Sequence, residues 1–177
     1  MKILICGNLG YIGPVLTKHL KLSIPLSEIT GLDTGYFASR ISSSGRIGDT
    51  YCNHQLYQDI RDVNIRYFAK FDAVIILSAI SNDPMGNKFE DVTNSINYLA
   101  VKKIIEPYLK LKNKRLVFAS SCSMYGAYEG EAKKEYDTLN PLTAYSKSKV
   151  AVEKALQKCQ LGRGTTATSL RFATACG

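Results

Sequence analysis

The chain predicts a doubly wound α/β domain built on a parallel sheet. Short apolar runs alternate with helix-period segments along the chain. The runs are continuously apolar, as in strands buried on both faces. A glycine-rich turn joins the first run to the first helical segment, where right-handed crossovers place a ligand site.

The elements follow in order. Residues 2–6 (KILIC) form a buried strand and 11–21 a helix. Residues 28–32 (EITGL) give a second strand ending at Asp33. The looser stretch 34–52, with Ser42-Ser-Ser-Gly45, reads as loop with a short helix. A third strand is expected near 54–58, a short helix near 62–69, and a strand at Ala73-Val-Ile-Ile-Leu77. One long helix is predicted over 88–111, with apolar positions Phe89, Val92, Ile96, Leu99, Ile104 and Ile105 on its buried stripe. A strand at 115–119, a loop at 124–141, a helix at 143–160 and a last strand at 166–171 complete the chain. The 177 residues form one domain, 1–177, with no repeat and no linker.

Composition excludes some classes. Apolar residues at 45% and charged residues at 21% describe a globular protein. No apolar run approaches the ~20 residues of a membrane helix, and the opening run is too short before Gly7 for a signal peptide. Five cysteines (Cys6, Cys52, Cys122, Cys159 and Cys176) without a C-x-x-C pair read as reduced thiols of a cytoplasmic protein. The net charge of +8 suits anionic ligands or simply solvated basic faces. The densest run, Lys110 to Arg115, falls at a helix end, where cations complement the dipole. Scattered basic residues without interleaved aromatics argue against nucleic acid.

Four features carry chemistry. Gly7-Asn-Leu-Gly10-Tyr11-Ile12-Gly13 links the first strand to the first helix with G-x-x-G-x-x-G spacing. Small residues there let backbone amides approach a pyrophosphate at a helix N-terminus; the plainer reading is a tight turn. Pro14 suits the first helical turn. Asp33, 20 residues beyond Gly13, is placed to hold the adenosine ribose hydroxyls and repel a 2′-phosphate, favouring NAD over NADP; otherwise it is a turn or cap residue. Asp59-Ile60 follows the third strand, with Asp59 able to meet the adenine amine and Ile60 its ring, or to form a turn. Finally, Tyr145 and Lys149 lie four apart on one helical face, where an ammonium lowers a phenol's pKa and equips it for proton transfer.

Together with Leu77-Ser78-Ala79, Asn97, Ser120-Ser-Cys-Ser-Met-Tyr-Gly126, Asn140-Pro-Leu-Thr-Ala-Tyr-Ser-Lys-Ser-Lys149 and Leu170-Arg-Phe172, these residues make the whole chain resemble the extended short-chain dehydrogenase/reductases. Within them it is similar to the NAD-dependent epimerase/dehydratase group that acts on nucleotide sugars. The resemblance implies a Rossmann-like fold, NAD as cofactor and a nucleotide-sugar substrate. It implies Tyr145 as acid/base and Lys149 as holder of the nicotinamide ribose. Ser121, four residues before Tyr125, matches the hydroxyl that bonds the reacting oxygen, with Ser120 and Ser123 as neighbours able to take that role. Leu77, Ser78 and Ala79 would line the cofactor, and backbone near Ala173-Thr174 would face the nicotinamide amide. Asn97 matches an Asn near the site or, more simply, caps a backbone carbonyl.

Cys122 reads as a structural thiol and His19 and His54 as solvent-facing or structural. The group's 4,6-dehydratases carry Asp-Glu after the catalytic hydroxyl. Cys122 and Ser123 stand there, so elimination lacks its general acid. An epimerase is expected, with a keto-sugar reductase or a non-catalytic dinucleotide-binding module as alternatives. The family's smaller C-terminal substrate domain has no counterpart before Gly177, so the chain reads as a cofactor-binding fragment, itself inactive or nearly so. An apolar edge left by that absence would favour a homodimer.

Overall fold

The structure, a computed structural model, describes residues 1–37, 51–81, 83–127, 130 and 132–175. Six strands make one wholly parallel sheet in the order β3-β2-β1-β4-β5-β6. They are β1 (Lys2–Cys6), β2 (Glu28–Asp33), β3 (His54–Tyr57), β4 (Ala73–Ile76), β5 (Arg115–Ser121) and β6 (Thr166–Phe172). The helices are α1 (Gly13–Ser23), α2 (Ile65–Phe68), α3 (Asp83–Lys88), α4 (Glu90–Asn94), α5 (Val101–Leu109) and α6 (Ala144–Lys158). A π-helical stretch, Ser95–Ala100, joins α4 to α5, and a 3-10 turn, Cys122–Tyr125, follows β5.

Alternation along β1 sorts the two cores. Leu4 and Cys6 join Leu32, Val74, Ile76, Leu116 and Phe118 beneath Phe68 of α2, Ile104, Ile105 and Tyr108 of α5 and Val152 of α6. Ile3 and Ile5 join Ile29 on the opposite face against Leu16 and Leu20 of α1. Burial on both faces is why the strands read as unbroken apolar runs. From β1 the chain winds outward through β2 to β3 on one side, then crosses back to β4 on the other, opening a crevice beyond the carboxyl ends of β1 and β4.

The expected elements are present, with four differences. α1 begins at Gly13, not at residue 11, because Gly7–Ile12 turns away from β1 before the helix starts. The helix expected at 62–69 contracts to the single turn α2, capped by Asn64, whose side chain accepts from the Arg66 N–H. The long helix is interrupted: α3 stands apart before Phe89, and the π stretch widens the middle of the run. β5 extends to Ser121. Residues 38–50 of the expected loop and short helix at 34–52, and Cys176, lie outside the described residues.

Phe68 is the buried residue that ties α2 to the larger core. Phe68→Ala is expected to cost about 3–5 kcal/mol, seen as a lower urea midpoint with an unchanged slope.

Candidate active site

At the crevice, the exits of β1 and β4 meet backbone to backbone. The N–H groups of Leu77 and Ser78 both donate to the Cys6 carbonyl, at 2.8 and 3.0 Å. Gly7 has φ +86°, and a Cβ there would lie 2.6 Å from the Ser78 nitrogen, so only glycine fits. Gly13 opens α1 against Asn8, whose carbonyl a Cβ at Gly13 would overlap. Gly10 faces more open space, and Tyr11 stands exposed on the rim. Ile12 caps α1 without a side-chain bond, no acidic residue occupies the first turn, and Pro14 sits there. The amides of that turn therefore keep their positive end for an anion. This cradle fits a pyrophosphate.

Asp33 lies beside it. One carboxylate oxygen accepts the Leu9 N–H at 3.2 Å, the other the Gly35 N–H at 2.9 Å. A carboxylate has about four acceptor positions, so further donors can be met. Asp59 is more committed. Arg61 grips it with its Nε and a terminal nitrogen, at 3.0 and 2.7 Å, and with its backbone N–H. These bonds hold the Asp59 carboxyl below its ordinary range. Ile60 is 7% exposed, its side chain packed on the larger core.

Tyr145 and Lys149 meet as their spacing requires. Thr143 caps α6, accepting from the Ser146 N–H, and Ser146 returns the bond. α3 closes on this end: the Asn87 side chain accepts the Ala144 N–H, and a Cβ on Gly86 would come within 3.1 Å of the Tyr145 Cβ. One turn on, Lys149 is 3% exposed. Its ammonium donates to the Ala119 carbonyl at 2.7 Å and lies 4.8 Å from the Phe118 ring centroid and 5.4 Å from that of Tyr145. Burial pulls its pKa down to about 7. The carbonyl and the ring faces favour the charged form and oppose that fall.

Three serines surround the end of β5. Ser121 accepts the Ser123 N–H at 3.2 Å, a bond that leaves its own proton to donate. The hydroxyls of Ser120 and Ser123, and of Ser78 beyond β4, are buried without a protein partner. Buried hydroxyls in that condition at strand ends are those a ligand would satisfy. Leu77 packs on the smaller core and Ala79 is half-buried beside the crevice. Ala173 and Thr174 are exposed just past β6.

Asn97, buried in the π stretch, brackets Ile80. Its carbonyl oxygen accepts the Ile80 N–H at 2.9 Å and its amide donates to the Ile80 carbonyl at 3.1 Å and to Ser148 Oγ at 3.3 Å. Ser148 donates in turn to the Tyr145 carbonyl. Both amide hydrogens are thus spent internally, as the plainer backbone-capping reading has it, and Asn97 clamps the β4 exit to α6.

The sequence reading missed two features. Arg171 makes a bidentate pair with Glu153 and also donates to Tyr125 Oη at 2.6 Å and to the Glu135 carbonyl at 2.8 Å. Tyr125 Oη donates to the Lys134 carbonyl. The loop before α6 is thereby tied to the end of β6. Glu153 raises the Arg171 pKa further above its ordinary value. The other is Asn8, whose buried side chain crosses Gly31; a glycine inside a strand is the signal for such a close approach. His19 and His54 are exposed, as expected. Cys122, whose thiol donates to the Arg171 carbonyl, is held structurally.

A crevice at the switch point of a six-stranded parallel sheet, with a Tyr–Lys pair at its side, defines a Rossmann-like protein. The sequence model of the NAD dependent epimerase/dehydratase family matches residues 3–177, and the chain belongs to that family. It is 26% identical over its whole length to a UDP-glucose 4-epimerase of Lactobacillus helveticus, covering 52% of that protein. It is 28% identical to an ADP-L-glycero-D-manno-heptose-6-epimerase of Brachyspira hyodysenteriae, over 88% of this chain and 48% of the other. A UDP-glucuronic acid 4-epimerase from Bacillus cereus, solved with UDP-glucuronic acid and NAD, shares the fold at TM-score 0.79 and 21% identity, over 97% of this chain and 56% of that one. The chain spans about half the length of these relatives.

The buried ammonium gives a test of the site's electrostatics. The unfolded chain holds the Lys149 proton more tightly than the folded one. From about pH 7 up to the ordinary lysine range the unfolded state therefore carries the extra proton, and stability rises with pH. Relative to Lys149→Met, the wild type is expected to gain stability over that window, by up to about 1.4 kcal/mol per pH unit, in urea titrations at matched pH. A constant difference contradicts it.

Proposed function

We propose that this chain is the NAD-binding part of a cytoplasmic nucleotide-sugar epimerase that works by oxidation and reduction at a sugar carbon. The observation that carries this reading is Lys149, a buried ammonium facing the Tyr145 ring at the carboxyl edge of the sheet. Retaining a charge there opposes burial, and proton transfer at the phenol gives it a purpose.

The glycine turn and the start of α1 would hold the pyrophosphate, Asp33 the adenosine ribose, and Ser78 and Lys149 the nicotinamide half. NAD, when bound, supplies the hydride acceptor and donor. Tyr145 takes the hydroxyl proton of the sugar and later returns it. Lys149 stabilises the phenolate that precedes the first transfer and follows the second. Ser121 donates a hydrogen bond to the oxygen as it becomes a carbonyl, keeping its own proton. Asn97 and Arg171 act behind this set, holding the β4 exit and the loop before α6. Cys122 and Ser123 supply no carboxylic acid for elimination, which favours epimerisation or keto-sugar reduction over dehydration. UDP-hexoses are the first substrates to try, because UDP-glucose 4-epimerases recur among the relatives. The remainder of the sugar pocket and a homodimer belong to the same reading.

The test is turnover of UDP-hexoses by the longest form of the protein, with and without Tyr145→Phe. The variant is expected to lose about 10²–10⁴ in kcat while its NAD affinity changes by no more than about threefold. Normal turnover in Tyr145→Phe overturns the assignment. Calorimetry is expected to show NAD binding more tightly than NADP, because Asp33 repels a 2′-phosphate; Asp33→Asn should narrow the gap. Equal affinities in the wild type refute that role.

A further inference from the structure

We infer that buried Asn8 and Gly31 and half-buried Gln55 form a lock that presets the opening loop and Asp33 for the dinucleotide, with Asn8 and Gln55 as positioning residues. The inference rests on the dinucleotide-binding reading above and adds what holds that site in shape.

Asn8 is the second residue of a loop that should be pliant, since glycines flank it at positions 7 and 10. Yet it is 0% exposed. Its Nδ2 donates to Gln55 Oε1 at 2.7 Å, and Gln55 Nε2 donates back to Asn8 Oδ1 at 3.3 Å. The Nδ2 also faces Cys52 Sγ at 3.8 Å. Asn8 follows β1 and Gln55 lies on β3, so the pair reaches across β2, which runs between them. Gly31 on β2 makes this crossing possible. It pairs with Ile5 on one side and Gln55 on the other, and a Cβ there would collide with both carboxamides.

The consequences pass along the chain. The Asn8 backbone abuts Gly13 and so sets where α1 begins. The next residue, Leu9, donates its N–H to Asp33. One buried side chain therefore fixes the start of the anion-binding helix and the carboxylate that meets the ribose. A buried amide that loses its only good partner is costly, so the loop stays seated. A loop ordered in advance spares the ligand that ordering, and the saving appears as affinity.

The experiment uses the chain with Asn8→Ala, Gln55→Met, the double variant, and Asn8→Ala/Gly31→Ala. The last puts a methyl into the space the Asn8 carboxamide vacated; Gln55 Oε1, freed of its partner at the end of a flexible side chain, swings clear of that methyl, so the variant remains foldable if Asn8→Ala alone does not. Readouts are urea stability, hydrogen exchange of amides 7–13, and affinity for NAD and NADP. Either single change is expected to speed loop exchange and weaken NAD about tenfold, with the NAD-over-NADP preference reduced. Asn8→Ala combined with Gln55→Met should be little worse than either single change. Asn8→Ala/Gly31→Ala should regain stability while the loop stays fast and NAD weak, a split that a merely structural pair would not produce. The lock is refuted if Gln55→Met and Asn8→Ala/Gly31→Ala keep wild-type loop exchange, or if the two single effects multiply in the double variant. Should the wild type bind neither dinucleotide, the exchange data still decide the lock, and it is the dinucleotide reading that fails.

Discussion

The site depends on how closely the backbones leaving β1 and β4 can approach. Cys6 offers one carbonyl to two amides of the β4 exit, and Gly7 must then turn with positive φ against Ser78. Any side chain at residue 7 would push the two exits apart. Such a wedge would act on the point where crossovers diverge, which is where the crevice exists at all. The first-turn amides of α1, Asp33 and the orphaned Ser78 hydroxyl all take their places from that contact.

Lys149 shows the opposing pull of function on stability. Its ammonium is buried among Phe118, the Tyr145 ring and the Ala119 carbonyl, with no carboxylate paired to it among the described residues. A leucine or methionine there would pack without desolvating a charge. The one carbonyl and two ring faces offset part of that cost, since each favours a cation. The nearby pair of Arg171 and Glu153 contrasts with it: there a guanidinium and a carboxylate neutralise each other, 15% and 8% exposed, and the gain is a fixed loop.

Much of this was legible in the residues because it is periodic or local. Continuous apolar strands follow from burial on both faces, and the parallel order from the alternation of strands with helices. The Tyr145–Lys149 contact is a property of helical spacing, and the glycine turn a property of backbone clearance. What escaped depends on distant partners. The π stretch arises as Asn97 turns inward to bracket Ile80, 17 positions earlier, and no helical periodicity records that. Ile60 follows a turn whose geometry sends its side chain to the core. Asn8 and Gln55 are 47 residues apart, and only Gly31 between them hints that something large crosses β2.

These long-range polar contacts share a pattern. Asn97 ties the β4 exit to α6, Arg171 ties the loop before α6 to β6, and Gln55 ties the β1 exit to β3. Each joins an irregular segment at the carboxyl edge to a regular element. Apolar packing cannot do this, because loops carry unpaired backbone groups and must keep them near water or a partner. A crevice that is to receive a polar ligand therefore has to be shaped by directional bonds, while the sheet beneath it is shaped by burial. The division explains why the fold tolerates distant sequence relatives while the site is aimed by a few directional contacts between distant residues, as the Asn8–Gly31–Gln55 crossing illustrates.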